Sequence, residues 1–212
     1  MVRKDSGIKS IADLRGKRVA GGYGAHPIMR RLAEGIMGAY GLDWSDVRMV
    51  PVTEAVQGAN AIIDGRADAA WFAVFAPITR EANTKVGVRF LPIEWNEERL
   101  KLARQKIFPG VMPLTMRGGP PWAPKGTQLL AYEYYLMTGA HTDPAALHTV
   151  LEALWDHAKE VQKVHPVLRG FTNKAAVSMR PVIPYHPAAI AFYKEKGVWS
   201  ADADAANMAV SK

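Results

Sequence analysis

Cysteine is absent from the 212 residues, which excludes disulfides, thiolate metal ligation and a cysteine nucleophile. Long apolar runs are absent too: none approaches the ~18 residues that a membrane-spanning helix requires. The opening MVRKDSGIKS carries some positive charge but no apolar segment behind it, so it does not read as a signal peptide. Charge is never gathered into blocks. Lys and Arg number 27 against 20 Asp and Glu, a net charge of +7, yet the cations stand singly or in pairs such as Lys17-Arg18 and Arg30-Arg31. That scatter makes no stripe suited to nucleic acid. Neither nucleic-acid binding nor direct membrane insertion is expected.

Signatures of catalysis and of cofactors are also missing. No glycine-rich loop runs into Gly-Lys-Ser or Gly-Lys-Thr, as a phosphate loop would, and no Gly-x-Ser-x-Gly elbow offers a serine nucleophile. His141, His148, His157 and His165 include no pair three or four apart, so no helix face presents a metal-ligand pair. Asp64, Asp68, Glu97 and Glu98 converge on no evident acid–base pair. The turn GGYGAHP, residues 21–27, begins like a dinucleotide fingerprint, with Gly22 and Gly24 after a strand and Glu54 where a ribose-binding acid would stand. The third glycine of that pattern is Pro27, whose ring defeats the close helix–strand packing that the position exists for. No cofactor and no metal are expected.

What is present is alternation. Residues 17–20 read as a strand and 21–26 as a turn. A helix opens on Pro27, with Ile28, Met29, Leu32, Ala33, Ile36, Met37 and Tyr40 on one apolar face and Gly41 past its end. Residues 47–52 form the next strand, followed by a helix carrying Ala55, Val56, Ala59, Ile62 and Ile63. Residues 67–75 are almost continuously apolar, as in a strand buried on both faces. A further strand is expected over 86–93, and Asn96 caps a helix with Glu97 and Glu98 in its first turn. Strands alternating with helices predict an α/β fold.

Residues 106–127 break the rhythm with five prolines and read as a functional flap or a link between lobes. Residues 128–137 look extended and aromatic. A long helix then begins at Asp143-Pro144 and carries Leu147, Val150, Leu151, Leu154, Trp155, Ala158 and Val161 on one face. Short helices are expected after Thr172 and over 187–196. The chain therefore divides into an α/β lobe, 1–125, and a crossing strand with C-terminal helices, 126–212.

Two features point to ligand binding. The first free amides of a helix attract anions, which makes Gly22, Tyr23, Gly24, Ala25 and His26 candidate contacts. Arg30 and Arg31 sharpen the point, because cations in a first helical turn are disfavoured by ~0.3–1 kcal/mol unless an anion answers them. Trp71, Phe72 and Phe75 cluster at the expected C-terminal end of the apolar strand, where open α/β sheets hold ligands.

Three stretches carry a resemblance. SGIKSIADLRGKRVAGGYG, DGRADAAWFAVFAPI and VIPYHPAAIAFYKEKGVW, the last with His186, Pro187, Tyr193, Glu195 and Gly197, together resemble the TAXI-family solute-binding proteins of tripartite ATP-independent periplasmic (TRAP) transporters. The resemblance implies a type II periplasmic-binding-protein fold, of which this chain holds the second lobe plus the C-terminal helical part. An export signal and most of a first lobe would precede it in the family. It further implies capture of a small anionic solute, a carboxylate such as glutamate or a dicarboxylate, outside the cytoplasm, and delivery to TRAP membrane subunits. The family turn usually reads glycine-serine where Ala25-His26 stands, so His26 would take over a hydroxyl's contact. The alternative is an enzyme on the same scaffold or on a nucleotide-binding α/β scaffold.

Overall fold

A computed structural model describes residues 1–211 and divides the chain into two compact units, Met1–Glu133 and a second beginning at Tyr134. It is mixed α/β, with eight α-helices and small sheets among the described residues.

The first unit is built around a short mixed sheet. Strands β1 (Val2–Arg3), β2 (Arg18–Gly22), β3 (Arg48–Val52) and β4 (Val88–Arg89) pair as β2–β3, parallel, and β1–β4, antiparallel. Helix α1 (Pro27–Gly38) connects β2 to β3, a crossover of the kind that parallel strands require. Helices α2 (Ala55–Ile63) and α3 (Pro77–Val86) follow β3. The core beneath them includes Val19, Ala20, Tyr23, Ala33, Met37, Ala59, Ile62 and Trp71.

The strand expected over 67–75 contracts to one residue. Ala69 bridges Val19 on one side and Val2 on the other, its carbonyl accepting from the Ala20 amide at 2.9 Å. It thereby joins the two strand pairs through its backbone. Beyond Ala70 the chain leaves the ladder, because the Trp71 amide turns to the phenol of Tyr23. Trp71, Phe72 and Phe75 thus lie on a loop rather than at a strand end. The strand expected over 86–93 is likewise only β4. The Phe90 amide goes to the Trp122 carbonyl, in a loop, and the Ile93 amide to the carbonyl of Gln128, the first residue of a later strand, both at 2.8 Å, so these residues make single bonds to different segments instead of a ladder.

Helix α4 (Glu97–Lys106) is capped by Asn96 as expected. The proline-rich stretch is more ordered than its composition implies. Within it, β5 (Met112–Thr115) pairs antiparallel with β6 (Gln128–Ala131), Pro113 opposite Leu130; a two-stranded ribbon has open edges that tolerate a residue with no N–H. The sheet ends at Ala131, well before Met137, and α3 arises where no helix was expected.

The second unit is helical: α5 (Pro144–Asp156), α6 (Ala158–Val164), α7 (Pro187–Glu195) and α8 (Ala201–Val210), the last unanticipated. The single long helix expected from Asp143 breaks at His157, whose backbone (φ −102°, ψ 21°) is not helical. Its core is Leu147, Leu151, Ala189 and Phe192, with Trp155 and His148 edge-on to Phe192 at 5.8 and 5.3 Å. The His-Pro motif has a structural role in this unit. The His186 Nδ1 accepts from the Ala188 amide at 3.2 Å, Pro187 fills the first helical position, and Tyr193 packs with Tyr185.

Helices α1 and α4 touch at Gly35. A Cβ there would lie 2.1 Å from Ile107 Cγ1, and Ile107 is buried with Leu32, Ala103 and Val111. Gly35→Ala is expected to lower stability by about 1–3 kcal/mol through overpacking, read as a fall in the chemical denaturation midpoint.

Candidate functional site

The register of the parallel pair positions the site. Gly22 lies opposite Val52, so both strands end at one level and each feeds a helix, α1 or α2, at the same edge. Pairing then continues into the turn: the Tyr23 amide donates to Val52 O at 2.7 Å, Ala25 to Thr53 O at 3.0 Å and His26 to Tyr23 O at 2.9 Å. Following this path bends the backbone to positive φ at Gly22 (94°) and also at Tyr23 (48°). A left-handed conformation costs a non-glycine residue about 1–2 kcal/mol. It is offset at Tyr23 by complete burial of the aromatic ring, since sinking a large apolar side chain is worth about 1.5–3 kcal/mol.

The five turn residues therefore part company. Tyr23 turns its side chain into the core and offers the turn only backbone. Gly24, Ala25 and His26 are exposed. Three turn amides are committed to carbonyls, which leaves fewer free donors than the sequence pattern implies. Around the two helix starts, the amides with no acceptor among the described residues include those of Gly24 and Ile28 near the start of α1, and of Ala55 and Val56 at the start of α2. Neither His26 nor Glu54, the N-cap residues of α1 and α2, places a side-chain acceptor on its helix. By contrast α4, α5, α7 and α8 are all capped by side chains. Two adjacent uncapped N-termini concentrate partial positive charge at the edge of the parallel pair.

The aromatic loop meets this turn through one contact. The Trp71 amide donates to the Tyr23 hydroxyl at 3.5 Å, a long bond that ties two segments distant in sequence. Trp71 is 8% exposed and its indole Nε1 is buried with no acceptor among the described residues; leaving such a donor unmatched costs about 1–3 kcal/mol. Phe72 is partly buried against the core. Phe75 is 56% exposed. The loop is held from outside by Trp122, whose indole donates to Val74 O at 2.9 Å.

Thr53 and Gln57 escaped the sequence reading. The Gln57 amide oxygen accepts from both the amide and the hydroxyl of Thr53 at 2.8 Å, and Thr53 O receives Ala25. The pair therefore fixes the spacing of the two turns. The one signal available was position, a polar pair directly after a strand. Arg30 is tied to Glu34 at 2.8 Å, while Arg31 lies along a groove with α4. A sequence model of the NMT1-like family matches residues 1–197.

Burial lifts the Tyr23 phenol to about 12, opposed by the Trp71 N–H. The folded chain thus holds this proton more tightly than the unfolded chain, whose phenol titrates near 10. Stability from this group is complete below about pH 10 and is lost as pH rises toward 12, by about 2–3 kcal/mol. Tyr23→Phe should flatten that part of the stability–pH curve; denaturation midpoints across the alkaline range check it.

Proposed function

This chain belongs to the NMT1-like family, and we propose that it captures a small anionic solute, a carboxylate such as glutamate or a dicarboxylate, and delivers it to TRAP membrane subunits as a TAXI-type binding protein. The family is periplasmic-binding-protein-like and typically extracytoplasmic, so solute binding and transporter partners follow from membership. No described helix is long and apolar enough to cross a membrane. The finer reading is a type II bilobal fold. In it, residues 1–125 form the second lobe and residues 126–212 the crossing strand and C-terminal helices of the other; Lys212 lies outside the described residues.

The observation that carries the reading is the pair of uncapped helix N-termini set side by side by β2 and β3. Free amides at Gly24, Ile28, Ala55 and Val56 suit a carboxylate's two oxygens better than a cation or an apolar group. His26 adds an exposed imidazole at the spot where a hydroxyl is usual. The orphaned Trp71 indole is a second, independent support: a solute acceptor reaching it as the loop adjusts would remove the cost of its unmatched donor. Phe72 and Phe75 complete the wall in this reading.

Titration calorimetry with glutamate, succinate and neutral analogues is the test. Heat and a raised melting temperature are expected with at least one carboxylate and with none of the neutral compounds. His26→Ala and Trp71→Phe should each weaken binding about tenfold or more, as expected for hydrogen bonds to a charged group. Silence across the whole carboxylate series would overturn the proposal.

A further inference from the structure

Away from the solute site, the first unit carries an open groove of about 840 Å³ along α1 and α4. Arg31 faces it from α1; Glu97, Leu100, Lys101 and Arg104 face it from α4, and Phe108 closes one end. Helical spacing explains the grouping. Residues 97, 100, 101 and 104 are three or four apart and so share one face, while Ala103 packs with Leu32 in the core and Ile107 lies at the junction, lining the groove and packing with both. The groove is firm. Gly35 lets α1 and α4 approach closely, and Phe108 stands edge-on to Tyr132 at 5.6 Å.

Its charge is unbalanced. Among the described residues, Arg31, Lys101 and Arg104 enter no ion pair, although Arg30 beside them is paired with Glu34. Arg104 is held by one bond, Nε to Val111 O at 3.2 Å, which orients the guanidinium and leaves its outer nitrogens for a partner. Three cations against the single carboxylate of Glu97 repel one another until an anionic partner arrives. From Glu97 to Arg104 the face runs ~10 Å at 1.5 Å per residue, longer than one small carboxylate. Leu100 and Phe108 add apolar floor that a free inorganic anion has no use for.

We propose that this groove docks an acidic segment of a partner protein, with carboxylates on Arg31, Lys101 and Arg104 and an apolar side chain on Leu100 and Phe108. The proposal goes beyond the solute reading and does not depend on it.

The probe is a short labelled peptide with glutamate and leucine at helical spacing, followed by fluorescence anisotropy with the full chain. Binding should weaken steadily as sodium chloride rises. The double variant Arg31→Glu, Lys101→Glu should bind at least about tenfold more weakly, with an unchanged melting temperature, and should gain affinity for a lysine-for-glutamate peptide. Equal binding by wild type and variant, equal binding of a glutamine-for-glutamate peptide, or no binding at any salt concentration would overturn the proposal. Displacement of the peptide by inorganic phosphate at equivalent concentration would do the same, reducing the groove to a simple anion site. Solute titrations of the single variant Lys101→Glu, which alone should also weaken the peptide, should be unaltered, which separates failure here from failure of the carboxylate reading.

Discussion

The parallel pairing of β2 with β3 is the constraint on which the first unit turns. Its register, Gly22 opposite Val52, makes two strands end together, and two helices must then begin together. The pairing does not stop at the strand ends: the amides of Tyr23 and Ala25 still reach Val52 and Thr53. That extra reach forces Tyr23 into a left-handed backbone and drives its ring inward. A strained residue is held because a large ring is buried with it, and the exposed part of the turn is left to Gly24, Ala25 and His26.

Single backbone contacts decide how the neighbouring segments join. Ala69 bridges β1 and β2 at once through its main chain. Once past Ala70 the chain is drawn off by the Tyr23 hydroxyl, so a stretch rich in apolar residues becomes a loop with one buried tryptophan. The second unit is organised differently. Three of its four helices carry side-chain caps, at Asp143, His186 and Ser200, and an aromatic cluster gathers around Phe192. Helices α3 and α6 also start without a side-chain cap, but only α1 and α2 do so side by side, at the edge of the parallel pair.

Much of the architecture was legible residue by residue. Pro27 announced the start of α1, Asn96 that of α4 and Asp143 that of α5, because capping is a contact within one turn of chain. The parallel unit from β2 through α1 to β3 was legible from apolar spacing. The strands expected over 67–75 and 86–93 were not, since an apolar run records burial without saying whether a ladder partner is present. The ribbon of β5 and β6 was hidden by prolines that a two-stranded sheet accepts at its edge. In the site, the turn 22–26 was visible as a glycine pattern, but Thr53 and Gln57 were not, their role being set by the strand alongside.

By itself, then, the sequence determined the α/β character, the helix starts, the glycine turn ahead of α1 and the absence of thiol chemistry. Each of these follows from residue type or from contacts a few positions apart. Only the tertiary structure decided that Tyr23 faces inward and Phe75 outward, that Trp71 keeps an unmatched donor, and that Arg31 joins Lys101 and Arg104 along one groove. Those outcomes rest on contacts between segments tens of residues apart, such as Tyr23 with Trp71, and packing selects them where local propensity is indifferent.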